Sequence, residues 1–385
     1  MTMKLLMLIP YLAPVYGGTA HVVPELAAAL AQQGVDVDVV TTVAAGDKVL
    51  SVPPAGWQSQ SGYRVRYFPC WHRGDFVWSS ALLLWLARHG QDYDVVHSHT
   101  LFAPMLAIAH RICRWQRLPY LMTPHGMLEP WALGHKAWKK KLYMAWVERP
   151  ALAKAGAIQV LSQREADQVA ALRLSTPVAI VPNGVTLPPD VSPAVFDDAF
   201  PLIGDRPRIL YLGRIDPKKG LDQLITAFAA LYRDHPQVHL ILAGPDALGY
   251  RDALQRQART LGCGTAITFT GMLSGDRKWA ALRAADLFVY PSYSEGFSLA
   301  ILEAMAAGLP CVITTGCNFP EAAIAQVVVT VEPEQTALTN ALRHLLSDRA
   351  AAQDLGDRAR EFVQTHYTWQ HRAQQLVQVY QSLVD

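Results

Sequence analysis

Apolar and polar positions alternate along the chain in two distinct patterns. Short runs rich in Val, Ile and Leu, such as residues 4–10 and 35–42, have the length and composition of buried strands. Longer stretches between them, such as residues 20–33 and 104–117, carry apolar side chains at helical spacing. This alternation of strands and helices predicts parallel sheets whose two faces are both covered by helices.

The same two patterns place the remaining elements, so the predicted fold class is α/β. The other predicted strands cover residues 94–97, 120–123, 157–161, 178–181, 208–212, 238–243, 267–270, 287–290 and 311–313. The other predicted helices cover residues 79–89, 136–153, 221–232, 298–307 and 369–383.

A cluster of prolines without a clear period interrupts the alternation at residues 186–207, and we interpret this segment as a linker. It predicts two doubly wound domains, residues 1–188 and 189–366, with a C-terminal helix at 367–385 that packs back on the first. Ligands of such sheets bind at the carboxyl ends of the strands. We therefore expect two domains that face each other across a cleft, with the functional site between them.

The composition of the chain excludes several kinds of function. Of the 385 residues, 51% are hydrophobic and 17% charged, which is enough apolar material for sizeable cores and excludes a disordered chain. The formal net charge of +2 generates no overall field for nucleic acid, so no nucleic-acid partner is expected. The five cysteines are scattered and never spaced Cys-x-x-Cys, which favours a reducing, cytoplasmic compartment over a disulfide framework or a zinc site.

No apolar run predicts a membrane span. The longest runs fall short of the roughly 18 residues that a membrane helix needs. The apolar run at the start of the sequence is short and no Ala-x-Ala cleavage site follows it. We interpret it as a buried first strand, with a signal peptide as the alternative.

Two acids stand out in the otherwise small and apolar stretch SEGFSLAILEAMAAGLP at residues 294–310. Glu295 and Glu303 are eight positions apart, and on one continuous helix they would lie about 80° apart around the axis. We predict instead that Glu295 lies in a loop and Glu303 on the helix, with the free amides at the helix start between them as a seat for an anion. A sugar nucleotide, with hydroxyl groups on both sides of a diphosphate, fits this arrangement. The alternative is a helix-capping Glu295 and a solvated Glu303.

A basic turn, YLGRIDPKKGLD, follows the strand at residues 208–212. Arg214 and Lys219 at the carboxyl end of a strand suit phosphate groups, because a charge pair at about 4 Å contributes up to about 4 kcal/mol at an effective dielectric of about 20. A helix N-terminus contributes about 0.3–1 kcal/mol. The alternative is a solvated basic turn. In the first loop, Gly17 and Gly18 would let the backbone approach a phosphate, or would simply form a tight turn.

Histidines follow two predicted strands of the first domain. His125 lies in TPHG, and His97 and His99 lie in VVHSH. The spacing indicates no third ligand, so we predict no metal site. The Asp-x-Asp pairs at residues 36–38 and 92–94 lie at the other end of the sheet, and we interpret them as structural.

Lysines and aromatic residues are mixed in LGHKAWKKKLYMAW at residues 133–146. At helical spacing, this composition is typical of a helix on an anionic membrane surface. We therefore predict peripheral contact with the inner face of the cytoplasmic membrane between Lys136 and Trp146. The alternative is a surface helix on the acceptor side whose aromatic rings pack inward.

Taken together, these motifs resemble the retaining GT-B glycosyltransferases of family four. They occur in the family's order over nearly the whole chain, and it is the ordered set that is specific. The matching stretches are the glycine pair at residues 17–18, TPHG at 123–126, PNGV at 182–185, GRIDPKKG at 213–220 and EGFSLAILE at 295–303. The chain departs from the common pattern at Gly126, where many relatives have an acid, and at residues 317–318, where glycines are more usual.

The resemblance implies two Rossmann-like domains and transfer of a hexose with retention of configuration. The donor would be a UDP- or GDP-linked sugar and the acceptor a glycan or lipid-linked sugar, in cell-surface polysaccharide biosynthesis. No metal or other cofactor is implied. Attack would occur from the front face, with the leaving phosphate helping to deprotonate the acceptor.

The resemblance also implies roles for individual residues. Arg214 and Lys219 would stabilise the leaving diphosphate, and Glu303 would hold the ribose. The implied catalytic residues are Glu295, His125, Arg214 and Lys219. The implied donor-binding residues are Gly17, Gly18, Arg214, Lys219, Met272, Glu295, Gly296, Phe297, Ser298, Leu299 and Glu303.

Three other functions are compatible with parts of this pattern. A glycoside hydrolase would use the two glutamates as acid and nucleophile, but it needs carboxyl groups about 5–5.5 Å apart and has no use for the cations. A nucleotide-sugar epimerase would share the fold. A non-catalytic nucleotide-sugar binding protein would keep the donor residues without turnover.

Overall fold

The computed structural model describes residues 2–52, 56–74, 76–129, 137–246 and 248–384. The chain divides into two compact units. The first comprises Met1–Gly184 together with Trp369–Asp385, and the second comprises Val185–Thr368.

Strands and helices are numbered in chain order. The strands are β1 Lys4–Tyr11, β2 Asp36–Thr42, β3 Ala44–Ala45, β4 Lys48–Val49, β5 Gln58–Ser59, β6 Arg64–Phe68, β7 Trp71–Arg73, β8 Phe76–Trp78, β9 Val95–His99, β10 Tyr120–Thr123, β11 Ala157–Val160, β12 Val178–Ile180, β13 Arg208–Leu212, β14 His239–Ala243, β15 Ile267–Gly271, β16 Leu287–Tyr290, β17 Cys311–Thr314 and β18 Val329–Val331.

The helices enclose these strands. They are α1 Gly18–Gln32, α2 Ser80–His89, α3 Pro104–Gln116, α4 Ala137–Tyr143, α5 Arg149–Leu152, α6 Gln163–Ala170, α7 Ala194–Asp197, α8 Leu221–Asp234, α9 Tyr250–Thr260, α10 Gly275–Ala284, α11 Leu299–Ala306, α12 Pro320–Ile324, α13 Gln335–Ser347, α14 Arg349–His366 and α15 Trp369–Val384. A π-helical segment, Met144–Glu148, joins α4 to α5. None of the helices in the described ranges is long and apolar enough to cross a bilayer.

The sheet of the first unit is parallel except at one edge. In the described part of the unit its strand order is β12-β11-β10-β9-β1-β2-β6-β5, and only β5 runs antiparallel to its neighbour. Chain order along the sheet reverses between β1 and β9, which defines a topological switch point. The apolar run at the start of the sequence forms the buried β1 that was predicted, with residues 5–9 fully buried.

The second unit has a parallel sheet in the order β15-β14-β13-β16-β17-β18 across the described residues. In the unit's own numbering this is 3-2-1-4-5-6, the order of a dinucleotide-binding Rossmann sheet. Its switch point lies between β13 and β16. The α/β class predicted from the periodicities is confirmed.

The interpretation of residues 186–207 as a linker is wrong in part. The segment contains the short helix α7, and Phe196 and Ile203 are 0% and 2% exposed in the core of the second unit. Asp197 forms an ion pair with Arg208 at 2.7 Å. The prolines hid this packing because they break the periodicity while the apolar side chains between them still face the core.

Other predictions hold with small changes. The helix predicted at 136–153 is described from residue 137 onward and contains the π-helical segment, while Lys136 lies outside the described residues. The structural interpretation of the aspartate pair at 36–38 is confirmed for Asp38. Its buried carboxylate accepts bonds from Arg64 at 2.6 and 2.7 Å and from the Tyr93 hydroxyl at 2.7 Å.

The C-terminal helix α15 belongs to the first unit and is joined to its sheet by a buried chain of hydrogen bonds. The amide of Gln159 donates to Val181 O at 2.8 Å, and its oxygen accepts from Thr123 Oγ1 at 2.8 Å. Thr123 Oγ1 therefore accepts from His97 Nε2–H at 2.7 Å, and His97 Nδ1 accepts from the Tyr380 hydroxyl at 2.7 Å. Because Val181 O can only accept, it fixes the donor and the acceptor of each following hydrogen bond in this series.

Replacing Tyr380 by Phe removes the donor to His97 Nδ1. We expect Tyr380→Phe to lower the free energy of unfolding by about 1–3 kcal/mol, because a buried acceptor is left unpaired. Thermal unfolding followed by circular dichroism measures this, with Tyr232→Phe as the control for removing a tyrosine hydroxyl elsewhere. Equal melting temperatures for the two variants would show that the bond does not stabilise the unit.

Candidate active site

The cationic turn of the second unit follows β13. Asp216 Oδ1 accepts a bond from Lys218 N at 2.9 Å, which caps the short 3₁₀ turn Pro217–Lys219. Gly220 then has a φ of 65°, and a Cβ at this position would lie 2.2 Å from Pro291 O. Only glycine allows the turn to lie this close to the loop after β16.

Lys219 is 8% exposed, so it is not the solvated residue of the alternative interpretation. Its Nζ donates to Glu295 Oε1 at 2.6 Å and to the Tyr290 hydroxyl at 3.1 Å. An ammonium group has three N–H donors, and these bonds use two of them. Within the described residues, the third N–H has no acceptor.

Glu295 lies in the loop after β16, as predicted, and is buried. Both of its side-chain hydrogen bonds fall on Oε1, from Lys219 and from Ser292 Oγ at 2.5 Å. Its backbone N donates to Gly316 O at 2.8 Å. A Cβ at Gly316 would lie 2.3 Å from Ser292 O, so this glycine, which the motif analysis did not single out, lets the two loops pack together.

Arg214 differs from Lys219 because its side chain is exposed. The Tyr211 hydroxyl donates to Arg214 O at 2.9 Å and holds the backbone. Burial raises the pKa of both Tyr211 and Tyr290 well above the usual value, and the charge of Arg214 opposes that rise at both hydroxyls. Its charge therefore acts on the Tyr290 hydroxyl, which accepts a bond from Lys219 Nζ.

Glu303 lies on α11, which follows the loop that carries Glu295, and is only 8% exposed. The solvated alternative for Glu303 therefore does not describe this structure. Its Oε1 accepts a bond from Lys278 Nζ at 2.6 Å. Lys278 comes from α10 and was not found by sequence reasoning, since no motif links a lysine on one helix to an acid on another.

Four of the remaining predicted donor residues, Gly296, Phe297, Ser298 and Leu299, lie at the start of α11. Phe297 turns its ring away into the core, where it packs on Tyr367 and Phe319 with centroids 6.2 and 6.0 Å apart. Met272 follows β15 and is 56% exposed. Gly296, Ser298 and Leu299 are half-buried.

Glycines also end the central strands of this sheet. A Cβ at Gly244 would lie 1.7 Å from Gly213 O, and a Cβ at Gly213 would lie 2.5 Å from the Tyr211 hydroxyl. Larger residues therefore cannot replace them without moving the strand ends. The sequence signal was a glycine directly after each strand, in LGR and AGP.

In the first unit, the glycine pair follows β1 at the switch point. Gly17 has φ 81° and ψ −142°, a conformation open to glycine alone, and Gly18 begins α1. A Cβ at either position would meet no atom within 4 Å. The space in front of this backbone is therefore open.

His97, His99 and His125 of the first unit form a cluster. His99 Nδ1 lies 3.0 Å from His125 Nε2, and the rings of His97 and His99 have centroids 4.1 Å apart. Burial lowers the pKa of His97 to about 3 and of His125 to about 4, and it lowers the pKa of His99 well below its usual value. The cluster is therefore neutral at physiological pH. Within the described ranges, no group of three or more His, Cys, Asp or Glu is arranged to hold a metal ion.

A second buried group of this unit sits on the π-helical segment. Glu148 Oε1 accepts a bond from Phe102 N at 2.5 Å, where Phe102 has a φ of 61°. Burial raises the pKa of Glu148 from 4.5 to about 7. Strained backbone and π-helical turns are frequent at functional sites.

Both halves of the chain match family models. The model "Glycosyltransferase Family 4" matches residues 16–187, and "Glycosyl transferases group 1" matches residues 196–362. A D-inositol 3-phosphate glycosyltransferase from Actinosynnema mirum is 30% identical over 334 residues, which cover 80% of this chain and 78% of the relative. The chain belongs to glycosyltransferase family 4. A glycogen synthase from Mycobacterium tuberculosis is 29% identical over 398 residues, covering 95% of this glycosyltransferase and 91% of the relative.

Solved structures show that this family 4 glycosyltransferase has the GT-B fold. A sucrose-phosphate synthase from Thermosynechococcus elongatus matches with a TM-score of 0.76 at 24% identity, covering 99% of both chains. HepE from Anabaena in complex with UDP and glucose matches with a TM-score of 0.75 at 19% identity, covering 99% of this chain and 100% of HepE.

The raised pKa of Glu148 predicts a pH-dependent stability. Because the folded pKa, about 7, exceeds the unfolded value, 4.5, this group's contribution is fully present below 4.5 and is lost as pH rises through 7. Glu148→Gln removes the ionisation. Between pH 5 and pH 8, we expect the melting temperature of Glu148→Gln to rise relative to that of the wild type. Its free energy of unfolding should rise relative to the wild type by up to about 3 kcal/mol. A difference in melting temperature between the two proteins that stays the same at every pH in that range would contradict the prediction.

Proposed function

We propose that this glycosyltransferase transfers a hexose from a UDP- or GDP-linked sugar to a glycan or lipid-linked acceptor, with retention of configuration and without a metal ion. The contact between Lys219 and Glu295 carries the proposal. It brings a cation with a spare N–H donor to the switch point of the second unit, where ligands of such sheets bind.

The donor side is built for a nucleoside diphosphate. Lys219 and Arg214 supply positive charge to the leaving diphosphate, a task that a metal ion performs in other transferases. The start of α11 adds free backbone amides. Beyond it, Glu303 is held by Lys278 through Oε1, which leaves Oε2 to accept bonds from ribose hydroxyls.

The transfer step follows from this charge distribution. The bond between the anomeric carbon and the diphosphate oxygen breaks, and the acceptor oxygen bonds to the same face of that carbon. The acceptor proton passes to the leaving phosphate oxygen, whose charge Lys219 and Arg214 stabilise. Glu295 stays in its ion pair and helps to position the sugar, and His125 contributes a hydrogen bond on the acceptor side.

Relatives support hexose donors of both nucleotide types. HepE was solved with UDP-glucose, and a mannosyltransferase from Mycolicibacterium smegmatis, 31% identical over 46% of this chain, is named as GDP-mannose-dependent. The named relatives range from a glycogen synthase to a phosphatidyl-myo-inositol mannosyltransferase. Glycan and lipid-linked acceptors are therefore both represented among them.

A membrane-facing acceptor is supported by one helical stripe. Trp138, Leu142 and Trp146 recur every four residues and are 69%, 56% and 77% exposed. Lys141 is exposed beside them. Aromatic and aliphatic side chains flanked by lysine favour the surface of an anionic bilayer, so we propose that this stripe contacts the inner face of the cytoplasmic membrane.

Loss of the Lys219 charge tests the donor site. We expect Lys219→Met to reduce transfer by up to about 1,000-fold, since up to about 4 kcal/mol of charge stabilisation is lost. Arg214 is exposed, so we expect Arg214→Gln to leave the fold intact. This substitution should reduce the rate of transfer by about 10- to 100-fold. Lys218→Met is the neighbouring control and should transfer at the wild-type rate. The assay uses a panel of radiolabelled UDP- and GDP-sugars with membrane and glycan acceptors.

Two results would contradict the donor assignment. One is a wild-type protein that binds none of the nucleotide sugars in calorimetry. The other is wild-type transfer by both charge variants. Cleavage of an aryl glycoside without any nucleotide would favour the hydrolase alternative.

Membrane contact is tested by flotation with vesicles. We expect the wild type to float with vesicles containing phosphatidylglycerol and much less with pure phosphatidylcholine, and salt should weaken the binding. Trp138→Ser combined with Trp146→Ser should abolish flotation. The control Trp115→Ser removes another exposed tryptophan, 78% exposed, and should float normally. Equal flotation of the double variant would contradict the stripe as the contact surface.

A further inference from the structure

The ring of His125 is hydrogen-bonded to one described side chain, that of His99. His99 Nδ1 and His125 Nε2 are 3.0 Å apart, at the carboxyl ends of neighbouring strands. Two neutral imidazoles can form this bond in either direction. The direction decides which nitrogen of His125 carries its hydrogen, and so what that ring can do to a substrate.

The surroundings of His99 determine the direction of this hydrogen bond. The side chain is fully buried, and within the described residues its Nε2 has no hydrogen-bond partner. A hydrogen on Nε2 would therefore be a buried, unpaired N–H, which is rarer in proteins than an unpaired acceptor. The hydrogen of His99 accordingly sits on Nδ1 and is donated to His125 Nε2. His125 is then left with its own hydrogen on Nδ1.

The neighbouring groups leave no charged alternative. A proton added to His125 would set two N–H groups against each other across the 3.0 Å contact, and a proton added to His99 would sit on Nε2, which is buried and has no partner within the described residues. The ring of His97 is tilted against that of His99. It is fixed as the Nε2–H tautomer by Thr123, and its Nδ1 accepts from Tyr380, so it offers His99 no acceptor. Burial lowers the pKa of all three rings, in agreement with a neutral cluster.

The backbone of His125 is held as firmly as its ring. His125 and Gly126 have φ values of 54° and 73°, a left-handed turn that needs support. Gly126 N donates to Glu165 Oε1 at 2.7 Å, and Leu161 N donates to the other oxygen of the same carboxylate at 2.7 Å. With ring and backbone both held, the Nδ1–H bond of His125 has one direction.

We propose that His99 is a positioning residue that holds His125 as the neutral Nδ1–H tautomer, so that His125 acts only as a hydrogen-bond donor to an oxygen of the sugar or the acceptor. His125 then has no free lone pair and is not a general base. The role in transfer rests on the proposed function. The tautomer itself does not, because it is a property of the free protein.

Two variants of similar size test the tautomer. His99→Asn carries a side-chain amide, and His99→Asp carries a carboxylate. The Asn side-chain amide can replace the Nδ1–H donor of His99. An ionised Asp can only accept, so it draws the hydrogen of His125 to Nε2 and removes the Nδ1–H donor. Two-bond ¹H–¹⁵N correlation spectra of ¹⁵N-histidine-labelled protein distinguish the tautomers, and His125→Gln assigns the signal by its disappearance.

We expect the Nδ1–H pattern for His125 in the wild type and in His99→Asn, and the Nε2–H pattern in His99→Asp. Transfer should be near the wild-type rate in His99→Asn. In His99→Asp, kcat/KM should fall by about 5- to 100-fold, the equivalent of one buried hydrogen bond, while UDP affinity is retained. The control His110→Gln changes another buried histidine of this unit, bonded to Ser98, and should leave the His125 signal unchanged.

An Nε2–H pattern for His125 in the wild type would overturn the proposal, as would an unchanged pattern in His99→Asp. Equal transfer by His99→Asn and His99→Asp, despite opposite tautomers, would overturn the donor role. If His99→Asp fails to fold, the wild-type spectrum decides the tautomer. A wild type that turns over no nucleotide sugar contradicts the proposed function alone.

Discussion

The buried ion pair between Lys219 and Glu295 is the interaction on which the site of the second unit depends. The lysine comes from the turn after β13 and the glutamate from the loop after β16, on neighbouring strands of the switch point. Neither charge could be buried alone, and removing one partner of such a pair typically costs about 3–5 kcal/mol. The pair therefore holds the two loops together and keeps a cation in a desolvated place, where its attraction for an anion is strong.

The candidate site residues of the two units are buried in different ways. The second unit buries full charges in pairs, Lys219 with Glu295 and Lys278 with Glu303. The first unit buries neutral imidazoles in hydrogen-bonded series that run from α15 across the sheet. Paired charges suit recognition of a diphosphate, whereas neutral donors suit hydroxyl groups. Under the proposed function, this difference matches the donor and acceptor sides of the transfer.

Glycines at the strand ends have a structural role that complements the charged groups. Without side chains at Gly213 and Gly244, the backbone of adjacent strand ends can approach to distances that any Cβ would prevent. Side chains that carry charge then come from the turns that follow.

The sequence by itself determined the α/β class and the placement of Glu295 in a loop and Glu303 on a helix, because these follow from periodicities and turn residues within short windows. It did not give the helices α6, α9, α10, α12, α13 and α14. It did not determine that residues 186–207 pack into the second core, nor that Lys278 pairs with Glu303 and His99 with His125. Those contacts join residues 25 and 26 positions apart and depend on strand register and helix packing. The short strands β6 and β18 also escaped prediction, since only pairing with neighbours makes them strands.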